Sequence, residues 1–198
     1  LSYERSKPMH LAVKASANNA LKNFDSRLLY HSKMPHSLTT NFQTLLLQLA
    51  QQAQLGKLKI GTAESCTGGL IAAACTELAG SSEWFECGIV SYSNQAKQSL
   101  LGVNQLTLES YGAVSPEVVT EMVAGLLART HTTTGVAVSG IAGPGGATAN
   151  KPVGTVCIAW QHLEQTYSET FYFSGDRQAV RLATVHKALE GLLEITKT

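Results

Sequence analysis

The sequence has little net charge of either sign, with 15 Lys and Arg against 14 Asp and Glu in 198 residues. It therefore lacks the basic field that draws a protein to nucleic acid or to an anionic membrane, and a small polar substrate fits better. Long apolar runs are also missing. The longest, Leu70-Ile71-Ala72-Ala73-Ala74-Cys75, is far shorter than the ~20 residues that span a bilayer. With no signal-peptide h-region either, the expectation is a cytoplasmic protein that uses neither membrane nor nucleic acid. Cys66, Cys75, Cys87 and Cys157 form no CxxC pair and no regular framework, which reads as free thiols in a reducing compartment. The histidines, His10, His31, His36, His131, His162 and His186, make no HxH or HExxH pattern. Neither a protein-bound metal nor another cofactor is expected. Repeats, low-complexity tracts and internal linkers are absent as well.

What is present divides the chain. Residues 1–37 are rich in Ser, Asn, Lys and His with weak periodicity, and read as an extension outside the fold, poorly ordered or non-native. An ordinary helix around Leu11 to Leu29 is the other reading of that stretch. Residues 38–198 read as one domain. Phe42, Leu45, Leu46, Leu49, Ala50 and Ala53 recur at helical spacing until Gly56, predicting a packing helix. Leu58 to Ala63 predicts a strand, followed by the Gly68-Gly69 turn and an Ala-rich helix through Leu78. Phe85 to Tyr92 predicts a second strand, then a short helix containing Lys97 and Leu101. Ser115-Pro116-Glu117 is a helix start, with a cap, a proline at the first helical position and an acid facing the helix dipole. Gly135 to Ser139 predicts a buried strand, Val153 to Gln161 and Thr166 to Phe173 an antiparallel pair, and Asp176 opens a last helix. Strands alternating with helices and closing in a hairpin predict an α/β fold, a three-layer α/β/α sandwich with a mixed parallel/antiparallel sheet.

The chemistry-bearing residues cluster at strand ends. Glu64-Ser65-Cys66-Thr67-Gly68-Gly69 lies where a strand turns into a helix, presenting the Ser65 hydroxyl near backbone N–H groups that can stabilise an oxyanion. Cys66 is the rival nucleophile, and a Ser/Thr helix cap with packing glycines accounts for the same hexapeptide. GxSxG is absent, and so is a matching Asp and His, so the base for a serine would have to be a lysine. Lys97 follows a strand end, five residues after Tyr92; a buried lysine loses its charge readily and a Tyr hydroxyl can relay a proton. A solvated Lys and a half-buried Tyr fit the same spacing. Gly140 to Gly146 carries four glycines after a strand, permitting close backbone approach to a ligand, and Lys151 leads back toward the same region. Arg177 and Arg181 share the first turns of the last helix, placed either for a bound anion or for surface pairing.

Taken together, TAESCTGG (62–69), GIVSYSNQAK (88–97), YGAVSPEVV (111–119), SGIAGPGG (139–146), KPVGTV (151–156) and FSGDR (173–177) resemble the family of CinA C-terminal domains, which includes stand-alone nicotinamide mononucleotide deamidases. The resemblance runs from about residue 38 to the C-terminus. It implies an amidohydrolase that turns nicotinamide mononucleotide and water into nicotinic acid mononucleotide and ammonia in pyridine nucleotide recycling. By that similarity Ser65 is the nucleophile, Lys97 the general base and Tyr92 its hydroxyl partner. Thr67, Gly68, Ser139, Gly140, Gly143, Arg177 and Arg181 are candidates for binding substrate, and a homodimer or other homo-oligomer is expected. The different-class alternative is a non-catalytic nucleotide-binding or competence-related interaction module.

Overall fold

The computed structural model describes residues 36–197. The expectation for residues 1–37 falls outside them, apart from His36 and Ser37, which open the first helix. In chain order the described residues form α1 (His36–Gly56), β1 (Ile60–Glu64), α2 (Leu70–Thr76), β2 (Phe85–Val90), α3 (Asn94–Leu101), α4 (Gln105–Tyr111), α5 (Pro116–Arg129), β3 (Thr134–Gly140), β4 (Thr155–His162), β5 (Gln165–Tyr172) and α6 (Arg177–Ile195).

The strands make one sheet in the order β2-β1-β3-β4-β5. β1 runs parallel to β2 and β3, whereas β3–β4 and β4–β5 are antiparallel. Helices cover both faces, because the strand side chains divide by size between the two sides. Ile60, Val136, Val138, Val156, Ile158 and Trp160 pack with α1, α2 and α6. Ala63, Ala137, Cys157 and Ala159 face α5 and the end of α3. Small residues on that second side let α5 lie close to the sheet, where Val118, Val119, Met122, Val123 and Leu126 are wholly buried. Each such side chain contributes roughly 1.5–3 kcal/mol on leaving water. The mixed three-layer sandwich expected from the sequence is therefore the fold.

Local signals act as expected at several ends. The Ser115 hydroxyl accepts from the Val118 N–H and the Asp176 carboxylate from the Ala179 N–H, capping α5 and α6. Helix α4 has no counterpart in the sequence reading. It is a single seven-residue element whose only buried residue is Leu108, too short for hydrophobic periodicity to stand out, although Asn104 caps it through the Leu106 N–H. The β4–β5 connection is tighter than the expected His162-Leu163-Glu164-Gln165 segment, because His162 and Gln165 are themselves paired.

Parallel pairing fixes where the site lies. Glu64, the last residue of β1, is level with Val90 of β2 and Val138 of β3. The next residues along the three strands, Ser65 after β1, Ser91 after β2 and Ser139 near the end of β3, emerge side by side at the carboxyl end of the parallel strands, where ligands of open α/β sheets bind.

Candidate active site

Ser65 leaves β1 with its N–H donated to the Val138 carbonyl at 3.1 Å, so the nucleophile candidate is tied to β3 as well as to its own strand. The chain then turns through Gly68 and Gly69, at φ 62° and 97°, a left-handed conformation that side chains with a Cβ resist. The tight turn points consecutive residues to opposite layers. Cys66 is buried in the core with α1, α2 and α6, and burial pushes its thiol up to about 11, which suppresses the reactive thiolate. Ser65 faces α3, where Lys97 Nζ lies 2.9 Å from its Oγ.

Lys97 is 1% exposed and forms no salt bridge among the described residues. Its ammonium donates to the Ser65 hydroxyl and, also at 2.9 Å, to the Ser91 carbonyl. Burial lowers its pKa to about 8, since removing the ammonium from water disfavours the charged form. α3 holds the lysine in place: Ser93 caps the helix through the Ala96 N–H, and the Leu101 carbonyl packs where Gly125 of α5 has no side chain.

The other expected site residues fall into two groups. Ser139 Oγ donates to the Ala113 carbonyl at 2.7 Å. Thr67 is fully buried, and its hydroxyl donates to Glu64 at 2.7 Å. Gly140 ends β3, while Gly68 lies exposed on the Ser65 turn. Arg181 donates to the Thr67 carbonyl at 2.8 Å and so braces the turn from below. Arg177 is exposed; it donates to the Gly143 carbonyl at 2.7 Å and to the Tyr92 hydroxyl at 3.1 Å. Tyr92 is 61% exposed, and its hydroxyl is engaged by Arg177. The structure thus brings Ser65 and Lys97 together and gathers Tyr92, Arg177 and Gly143 on the rim of the same strand ends.

Two features of the site were not assigned in the sequence. Lys151, read there only as bordering the cleft, donates to the carbonyls of Tyr111 and Val114 at 2.8 and 2.7 Å, pinning the α4–α5 loop beside Ser139. Glu64 is a wholly buried carboxylate at the root of the Ser65 turn. The signal available for it was its place directly before the nucleophile candidate and three residues before a threonine. Two surface cavities, of about 350 and 240 Å³, lie between β5 and α6 and beside the α4–α5 loop, and neither is lined by Ser65 or Lys97. Among the described residues no helix is long and apolar enough to cross a membrane, and no group of three or more His, Cys, Asp or Glu side chains is placed to hold a metal.

Comparison with known proteins agrees with this geometry. The profile of the CinA C-terminal domain matches residues 42–196. The chain is 49% identical over 152 residues to nicotinamide-nucleotide amidohydrolase PncC of Pseudomonas putida, covering 77% of this chain and 95% of that protein. It is 53% identical over 137 residues to the protein of the same name from Enterobacter agglomerans, covering 68% and 84%. Among solved structures, the competence/damage inducible protein CihA of Agrobacterium tumefaciens superposes with a TM-score of 0.77 at 42% identity, over 79% of this chain and 96% of that one. With the family profile matching most of the chain and relatives about half identical over most of their own length, this chain belongs to the CinA C-terminal domain family.

Proposed function

We propose that the protein is a nicotinamide-nucleotide amidohydrolase, converting nicotinamide mononucleotide and water to nicotinic acid mononucleotide and ammonia. The observation that carries the chemistry is the 2.9 Å contact between a buried lysine and a serine hydroxyl. The substrate follows from the relatives that bear that name. Neutral Lys97 takes the Ser65 proton as Oγ attacks the carboxamide carbon, and the tetrahedral oxyanion is met by backbone N–H groups of the Ser65 turn. Lys97 returns the proton to the departing ammonia, leaving an ester on Ser65. Water, deprotonated by Lys97, then attacks that ester and releases the carboxylate with Ser65 restored.

Tyr92 and Arg177 belong to the rim. The Arg177 guanidinium, held between Tyr92 and Gly143, suits the phosphate of a mononucleotide. For Tyr92 to serve Lys97 as a hydroxyl partner, its exposed side chain must turn inward from Arg177 when substrate binds. Arg181 acts through the Thr67 carbonyl it already holds. In this reading the enzyme is cytoplasmic, needs no resident metal, and works as a homodimer or other homo-oligomer. Val90 of β2 and Leu100 of α3 are large apolar side chains exposed on the surface and offer area for a second copy.

The test is ammonia release from nicotinamide mononucleotide, its riboside, nicotinamide and glutamine. The mononucleotide should be hydrolysed well ahead of the others, and Ser65→Ala should lose at least ~10³-fold in kcat. Thermal stabilisation by the mononucleotide without any ammonia would instead indicate a binding module.

A further inference from the structure

The environment of Glu64 goes beyond what a packing role requires. Its carboxylate is 0% exposed and accepts five hydrogen bonds. Oε1 accepts from the Thr62 hydroxyl at 3.1 Å and the Ala72 N–H at 2.8 Å. Oε2 accepts from the Thr67 hydroxyl at 2.7 Å, the Gly69 N–H at 2.9 Å and the Ile71 N–H at 3.1 Å. A buried carboxylate is costly unless its lone pairs are filled, and here they are filled almost entirely by the segment that follows Ser65. Charge-assisted bonds of this kind are roughly twice as strong as neutral ones.

An inventory of amides shows what this does. Between Ser65 and Ala72, the Ser65 N–H goes to Val138 and the Gly68 N–H to the Ser65 carbonyl. Those of Gly69, Ile71 and Ala72 go to Glu64. Among the described residues, Thr67 donates its N–H to no other residue and Cys66 only toward its own thiol, a weak acceptor that an oxyanion would displace; the only other such amide in the segment is Leu70, beyond the glycine pair. The donors consumed are those of the helix start; two that remain directly follow the nucleophile candidate, where an acyl-transfer oxyanion needs them.

We infer that Glu64 is a positioning residue for the amidohydrolase reaction: its carboxylate locks the Ser65–Ala72 turn so that the Cys66 and Thr67 amides are held for the oxyanion. This rests on the serine-amidohydrolase reading above. Glutamine cannot replace the carboxylate. Whichever oxygen becomes NH₂ must face a backbone N–H, that of Ala72 or those of Gly69 and Ile71, so the turn has to shift.

The experiment compares wild type, Glu64→Gln and the near-isosteric Thr62→Val, which removes a single donor to the carboxylate. Steady-state ammonia release is paired with active-site titration by a serine-directed fluorophosphonate. Glu64→Gln should lose on the order of 100-fold in kcat with KM little changed, and its labelling rate constant should fall in parallel. Thr62→Val should show a smaller fall in the same two quantities. If the variants merely reduce the titratable fraction, while kcat per titrated site and the labelling rate constant stay at wild-type values, Glu64 is a folding element only and the inference is wrong. Should Glu64→Gln not fold, Thr62→Val decides by the same criterion. A wild-type protein that labels at Ser65 but releases no ammonia overturns the substrate reading alone, and the labelling rates still test Glu64. A wild type inert in both assays removes both.

Discussion

At the scale of single residues the site turns on the charge of Lys97. Its ammonium donates only to the Ser65 hydroxyl and the Ser91 carbonyl, so dehydration dominates and is offset only in part by the neighbouring Cys66 thiol. A pKa of about 8 leaves the lysine mostly protonated at neutral pH, and the fraction able to accept the Ser65 proton rises with pH. We expect kcat/KM to climb about tenfold per pH unit below about 8 and to level off above it. Lys97→Arg, which stays charged throughout, should abolish that limb together with activity; a Lys97→Arg variant with the wild-type profile would exclude Lys97 as base. The sign for stability runs the same way. The unfolded chain holds this proton to about 10.4, so the contribution of Lys97 to stability rises between about 8 and that value and is at its least below both. Cys66 illustrates the opposite outcome, since burial raises a thiol and lowers an amine, and both shifts favour the neutral form.

At the scale of elements, Lys97 is placed by the contact between α3 and α5. Gly125 lies under the Leu101 carbonyl so closely that a Cβ would overlap that backbone atom. The obstacle is main chain, so a rotamer change cannot relieve it. Gly125→Ala should destabilise the protein by about 1–3 kcal/mol, visible as a lower Tm, and should reduce kcat by tilting α3 and drawing Lys97 away from Ser65. An unchanged Tm would mean that α3 is not held by this contact. Most element boundaries were open to reading in the sequence, because caps act through neighbours: Ser115, Pro116 and Asp176 mark helix starts wherever the rest of the chain goes. The α2 helix ends at Thr76 and not at Leu78, and the first strand begins at Ile60 instead of Leu58. Such shifts follow from tertiary pairing, here of Ile60 with both Phe85 and Thr134.

At the scale of the whole molecule the site is a junction of three strand ends and the last helix. Arg177, from α6, joins Tyr92 after β2 to Gly143 after β3, so one side chain ties two strand-end loops to the last helix. If it holds phosphate, Arg177→Ala should raise KM for nicotinamide mononucleotide by ~10–100-fold while leaving the riboside nearly unaffected; equal losses for both would assign Arg177 to holding the rim together. The sequence by itself determined the layered fold, the glycine turns and the set of residue types at the site, since these depend on local conformational preference and on hydrophobic period. It could not distinguish Ser65 from Cys66, nor join Lys97 to Ser65 across 32 positions other than by resemblance. Those depend on which layer each side of the turn faces, and only the packed sheet decides that. Arg181 and Glu64 make the same point from opposite ends. Arg181, a candidate anion binder in the sequence, also holds the Thr67 carbonyl, and Glu64, there only the first residue of the Ser65 hexapeptide, accepts from the turn that follows it. The Arg181 bond crosses 114 positions, a contact that only the packed fold brings about.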